Sequence, residues 1–302
     1  MPEGQWLNIF SKEDYSDIAN NIVKFNNYLT EKGIELIYVQ APVKTDNITN
    51  GGMFDIYKDY NYENANNLIS ILNQNNVNVL DLREKMKEEN IDYLGAFFKT
   101  DHHWKPEAGL WASKQISNYM NQNWNMNINL DIFEEEKYSD EIYKKVFLGS
   151  QGKRVTLAKT NKEDFNILMP NFETNITVEV PSIEINKTGT TKETLIDNEL
   201  LDNIDSYNNS MYDAYSYGNK DLIYTKNNLI KDDEKILLLR DSFSNVVLPY
   251  LSLGVENLYS IDQGTFDGSI KQFIEKNGIT KVIILYYTEP MHQRMGNMFN
   301  YE

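Results

Sequence analysis

Apolar positions along the chain follow two alternating rhythms. From Asp14 to Tyr28 a helical spacing of Ile18, Ile22, Phe25 and Leu29 predicts an amphipathic helix, stopped by Glu31-Lys32-Gly33. Ile34 to Ala41 is then nearly continuous in strand formers and closes at Pro42, predicting a buried strand. The pair repeats, with a helix over Asn64 to Asn75 and a strand over Val77 to Leu82, followed by a short amphipathic piece from Arg83 to Glu89. Pro106 suits the first turn of a further helix running to about Gln122. From Phe133 to Asn228 the rhythm breaks: Arg154 to Leu157, Asn175 to Val180 and Asp221 to Tyr224 read as short strands among polar loops. The first rhythm then returns, with strands at Lys235–Leu239, Asn257–Ile261 and Lys281–Tyr287 and helices at Val246–Leu253 and Ser269–Asn277. Strands this apolar, separated by helices, predict an α/β fold with a parallel sheet covered on both faces. The expected organisation is an α/β body built from residues 1–132 and 229–302, split by a mostly β insertion or cap at 133–228.

Composition narrows the partners more than the fold. The 302 residues, 41% of them hydrophobic, suffice for a full core. A formal charge of -16 disfavours nucleic acid and anionic membrane surfaces, because phosphates would be repelled, and a neutral substrate is the easier fit. The absence of cysteine removes thiol nucleophiles, disulfides and thiolate metal sites together. No run of about 18 apolar residues is present to span a membrane, and the start Met1-Pro2-Glu3-Gly4-Gln5-Trp6 lacks a signal-peptide pattern. Asparagine is abundant but scattered, which marks surface composition and not low complexity.

Two of the three histidines fall in Thr100-Asp101-His102-His103-Trp104-Lys105-Pro106-Glu107, leading into the third helix; the other is His292. Asp101 and His103, two apart in an extended segment, face the same side, so a carboxylate and an imidazole can share a task. A nucleophile for them stands far downstream, where the apolar run Ile236 to Leu239 ends at Arg240-Asp241-Ser242-Phe243-Ser244. A serine needs a base within hydrogen-bond reach and a third group to fix that base's tautomer. His103 as base, Asp101 as its orienter and Ser242 as nucleophile fill those roles. Ser242 also lies where open α/β sheets bind ligands, after a strand and before a helix whose N–H groups suit an oxyanion. The plainer reading is that Asp241-Ser242 caps the following helix. A metal held by Asp101, His102 and His103 is the rival chemistry, but adjacent residues in extended chain point apart and His292 does not complete a set. No metal and no cofactor is assigned. Core packing is the expectation for Trp111, while Trp104 is placed as a wall of the site.

These residues carry a resemblance. Thr100 to Trp104 resembles the signature of the DHHW protein family, and more broadly the alginate O-acetylation proteins of the SGNH hydrolase-like superfamily. Arg240-Asp241-Ser242-Phe243-Ser244 is similar to the nucleophile segment of that superfamily, with Arg240 where glycine is commoner, and Phe147 to Arg154 also resembles a DHHW segment. The order, Asp and His before Ser, is similar to the permuted arrangement of the alginate proteins. What the resemblance implies is an SGNH-like parallel sheet and an acyl-serine at Ser242, passed to a sugar hydroxyl or to water. It also implies oxyanion donors from the ends of the strands after the serine. Gly264 is then the backbone candidate and Tyr286, Tyr287 and Glu289 the side-chain candidates, with Trp104 and Arg240 completing the oxyanion or substrate-binding set. No Gly-x-Asn-Asp block stands there, and a structural role is the alternative for each.

By the same resemblance the substrate is a cell-surface polysaccharide and the acetyl donor is delivered by a membrane-bound O-acyltransferase partner. The full-length protein would be extracellular or surface-held through an N-terminal anchor not in this chain. Twenty tyrosines and four tryptophans are congenial to pyranose rings, though core packing accounts for most of them. Two alternatives stand beside the acetyltransferase or acetylesterase: a non-catalytic carbohydrate-binding or assembly protein on the same scaffold, and a simple cytosolic esterase.

Overall fold

The computed structural model describes residues 6–45, 58–288 and 301. Glu289 and His292 lie outside the described residues. Helix α1 (Ser16–Glu31) buries Ile18, Ile22, Phe25 and Leu29, the stripe its sequence spacing predicts. Strand β1 (Glu35–Gln40), helix α2 (Asn61–Gln74), strand β2 (Asn78–Asp81) and helix α3 (Leu82–Glu88) follow, then α4 (Pro106–Asn123), which starts with a proline in its first turn. Next come β3 (Tyr138–Phe147), α5 (Ser150–Val155), β4 (Glu163–Pro170), β5 (Ile176–Val180), β6 (Ile185–Gly189), α6 (Thr191–Leu195), α7 (Asn198–Asp202) and β7 (Leu222–Asn227). The last part holds β8 (Lys235–Arg240), α8 (Leu248–Leu251), β9 (Asn257–Asp262), α9 (Ile270–Asn277) and β10 (Lys281–Tyr286).

Eight strands form one sheet in the order β2-β1-β10-β8-β9-β7-β5-β6. The first five are mutually parallel, while β7, β5 and β6 join antiparallel beyond β9. This is a mainly parallel, helix-flanked α/β architecture, as the apolar strand runs predict. Residues 133–228 contribute those three antiparallel strands to the main sheet and, in β3 and β4, a separate two-stranded sheet.

Strand alternation splits the core into two layers. Leu36 and Tyr38 of β1, Leu237 and Leu239 of β8, and Val282 and Ile284 of β10 pack with α1, α2 and α9. Their neighbours Ile37, Val39, Ile236, Leu238, Ile283 and Leu285 pack with α4, α8 and the middle of the chain. Each fully buried Leu or Ile contributes roughly 1.5–3 kcal/mol relative to exposure, so a one-residue slip in these strands would exchange the two layers at large cost.

Three local expectations are corrected. The segment 154–157 is not a strand: Arg154 and Val155 end α5 and Thr156 turns out at φ 64°. Its alternation of Val155 and Leu157 mimics a strand, yet Leu157 is exposed. The helix expected over Val246–Leu253 is shorter, with a 3-10 turn at Ser242–Val246 ahead of α8. Trp111 is only half-buried; it packs against the core while its indole N–H donates to Glu89 at 2.7 Å.

Candidate active site

The C-terminal end of β8 delivers the serine turn. Asp241 caps the 3-10 turn by accepting from the Phe243 N–H at 2.9 Å. Its second oxygen accepts from the Tyr287 N–H at 2.8 Å, tying the turn to the end of β10. The capping role read in the sequence is thus real and belongs to Asp241, which leaves the Ser242 hydroxyl free to point elsewhere. Burial lifts the Asp241 carboxyl to about 7, against the two backbone N–H groups that favour its charged form.

The Ser242 hydroxyl points at His103, whose Nε2 lies 2.7 Å from Oγ. On the far side of the ring, Nδ1 is 2.5 Å from Asp101 Oδ1, which also accepts the His103 backbone N–H at 3.0 Å. An ionised carboxylate only accepts, so Nδ1 carries the ring proton and Nε2 takes the hydroxyl's. Burial alone would raise the Asp101 carboxyl. The neighbouring His103, through its electrostatic attraction and its two hydrogen bonds, holds it far below the usual carboxylate range.

The imidazole is fixed from both faces. His102 packs at 3.9 Å between centroids, tilted by 36°, and Tyr212 stacks at 4.0 Å, only 14° from parallel. Burial, reinforced by the charge of His103, pushes His102 down to about 3, so this second ring stays neutral. Trp104 is wholly buried behind the site, its indole N–H donating to the Phe243 carbonyl at 2.9 Å. It supports the serine turn and does not wall an open pocket.

Asp101 is held by a clamp from the middle of the chain. The Ser150 N–H, at the start of α5, donates to Asp101 Oδ2 at 2.6 Å. The Gly149 and Gly152 N–H groups bond the side chain and carbonyl of Thr100. A Cβ on Gly149 would lie 2.3 Å from the Asp101 Cβ, so only glycine allows this approach. From β4, Glu163 accepts the Thr100 N–H and hydroxyl at 2.6 Å each and the Lys99 N–H at 2.7 Å. Tyr212, Ser150 and Glu163 were not singled out from sequence. Only the Phe147–Arg154 resemblance pointed toward one of them.

The other candidates are placed apart from Ser242. Arg240 is fully buried, its guanidinium donating to Ser260 at 2.8 Å, Asn245 at 2.6 Å and the Gly218 carbonyl at 3.1 Å. It holds neighbouring loops together from within the core. The Gly264 N–H is taken by Asp262 at 2.9 Å. Tyr286 turns into the layer beneath the sheet, with its hydroxyl 3.1 Å from Gln263. Tyr287 does reach the site, its ring 4.5 Å from Phe243 and 6.0 Å from His102.

Asp101, His102 and His103 also form the one grouping among the described residues with three potential metal-ligand atoms within 4.8 Å. Asp101 Oδ1, both ring nitrogens of His103 and His102 Nδ1 are already engaged with one another, with Ser242 or with Ser150, whose Oγ lies 3.0 Å from His102 Nδ1. An ion would have to break those bonds.

Residues 8–162 match the family model described as SGNH hydrolase-like domain, acetyltransferase AlgX. The chain belongs to that family. Its fold is similar to Bacillus cereus PatB1 with a sulfonyl adduct, with a TM-score of 0.77 and 21% identity over 100% of this chain and 97% of that one. PatB1 in another structure gives 0.72 and 20%, over 98% and 96%. A DHHW family protein from Eubacterium siraeum gives 0.67 and 17%, over 92% and 86%. No curated protein sequence matches the chain. Among the described residues, no helix is long and apolar enough to cross a membrane.

Proposed function

We propose that this chain is a serine acyltransferase or esterase that carries an acetyl group on Ser242 and passes it to a carbohydrate hydroxyl or to water. The observation that supports this most directly is the continuous hydrogen-bonded series Ser242 Oγ, His103 Nε2, His103 Nδ1, Asp101. Ser242 attacks the acyl carbonyl as its proton passes to Nε2, and the leaving alcohol then takes that proton as the acyl-serine forms. An acceptor hydroxyl gives its proton to the freed Nε2, attacks the ester, and returns the serine. Asp101 fixes the tautomer and faces the imidazolium formed in both halves.

Membership in a family described by an acetyltransferase favours acetyl as the group carried. A polysaccharide acceptor, a location outside the cytoplasm and a membrane-bound acyltransferase as donor all extend that analogy. The same acyl-serine serves transfer and hydrolysis, so the acceptor admitted decides between them. The test is turnover of p-nitrophenyl acetate, with and without an oligosaccharide acceptor, in the wild type and in Ser242→Ala and His103→Ala. Loss in both variants supports the enzyme; wild-type-like turnover in both would leave a carbohydrate-binding role in its place.

A further inference from the structure

An acyl-transfer site needs donors for the oxygen that becomes negative in the tetrahedral intermediate. Of the backbone groups nearest Ser242, its own N–H has no partner among the described residues and can serve as one donor, while the others are committed elsewhere. The Phe243 N–H is held by the Asp241 carboxylate, the Ser244 N–H by the Asp241 carbonyl and the Tyr287 N–H by the same carboxylate. The Gly264 N–H is held by Asp262.

A side chain from α5 offers what these groups do not. Gln151 is 5% exposed, and its Oε1 accepts from Lys44 Nζ at 2.9 Å. Lys44 is itself buried, and its ammonium also donates to the carbonyls of Trp6 and Lys99 at 3.1 and 3.3 Å. An ammonium has hydrogens to give and no lone pair, so the amide oxygen is the atom that must face it. This fixes which way the amide lies and turns Nε2 away from Lys44, with no bond to any described residue. Gln151 lines a small cavity of about 10 Å³ with Lys44, Thr45, Asn8, His102, Phe243 and Tyr287. That is room for one water-sized group. The cavity is lined by His102, whose ring packs on His103, and by Phe243, which follows Ser242, so it lies beside His103 and Ser242 without either of the two lining it.

We infer that Gln151 is a further catalytic residue, its Nε2 donating to the acyl oxygen of a small ester bound at Ser242, with Lys44 locking the amide in the donating orientation. This rests on the acyl-serine reading above. The cavity's size matches a single oxygen, and the Gln151 amide lines it beside the Thr45 hydroxyl, which is also unpartnered, so both can donate to a developing oxyanion.

Gln151→Glu and Gln151→Ala, assayed with p-nitrophenyl acetate beside the wild type and Ser242→Ala, test the assignment. Glutamate keeps an oxygen for Lys44 and so the local structure, but removes the donor. We expect kcat to fall by about 10²–10³ in both variants with KM little changed, the loss seen when one oxyanion donor is removed. The pH profile of kcat should keep its shape. A Gln151→Glu variant restored to within twofold of the wild type would show a purely structural amide and overturn the inference alone. Wild-type turnover no faster than Ser242→Ala would overturn the acyl-serine reading together with it.

Discussion

The ring of Tyr212 lies flat against the imidazole of His103, 4.0 Å away and 14° from parallel. Its hydroxyl reaches the Phe243 carbonyl at 3.4 Å, the same oxygen that Trp104 holds at 2.9 Å. One aromatic side chain therefore packs on the imidazole and steadies the turn that carries Ser242. Tyr212→Phe keeps the ring and gives up one long hydrogen bond, so esterase kcat should stay within a few-fold. Tyr212→Leu frees the imidazole to rotate and should cost about 10-fold or more, since small misplacements of a reacting group are expensive. Steady-state kinetics of the pair separates ring from hydroxyl.

Asp101→Asn tests the tautomer argument. An amide at that position can present its NH2 to Nδ1 and favour the wrong ring nitrogen for accepting the serine proton. A loss in kcat on the order of 10³–10⁴ is expected with a folded protein. Circular dichroism alongside the assay checks the second condition.

Gly149→Ala should act on the same carboxylate from outside. The added methyl would meet Asp101 at 2.3–2.6 Å, including its Cα, so α5 or the Asp101 segment must shift. Overpacking of this kind costs about 1–3 kcal/mol. A lower urea midpoint is expected together with a lower kcat, whereas a surface effect would leave both unchanged.

Arg240 yields a stability prediction and no catalytic one. Arg240→Met fills similar space but strands the buried oxygens of Ser260, Asn245 and Gly218. Each orphaned group costs about 1–3 kcal/mol, so a destabilisation of several kcal/mol is expected by urea denaturation. Arg240→Lys should recover little of it, because a single ammonium cannot span the fork.

Asp241 and Asp101 give stability opposite slopes with pH. The folded-state value of Asp241, about 7, exceeds its ordinary 3.8, so the folded chain binds this proton more tightly than the unfolded one. Its contribution is complete below the ordinary value and is lost as pH rises toward about 7. Asp101 is shifted down, so its contribution is present above the ordinary carboxylate range and is lost on acidification. Asp241→Asn should flatten the decline in Tm between about pH 4 and 7. Asp101→Asn should instead flatten the fall below about pH 4.

The parallel strands and their helices were legible because burial on both faces leaves apolar runs that few other structures produce. The Asp101, His103 and Ser242 set was legible because a short extended segment and a strand-to-helix turn each concentrate chemistry locally. The clamp was not. Glu163 reads as an ordinary surface acid until β4 brings it to Thr100, and Tyr212 as one tyrosine among many until a 3-10 turn lays it on His103. Residues 154–157 were misread because two apolar residues flanking Thr156 imitate a strand. The better signal was Gly149-Ser150 just upstream, a helix start. Arg240 stood beside the nucleophile in sequence, but strand alternation sends its side chain into the core.

Strand β10 is the last of the sheet to be made, yet it is seated in the middle, between β1 and β8. The elements bearing the imidazole come early in translation and the one bearing the hydroxyl comes late, and neither half-sheet has its neighbour until this final ribbon slots between them. The two halves of the sheet can therefore be joined only once the whole chain through β10 is available.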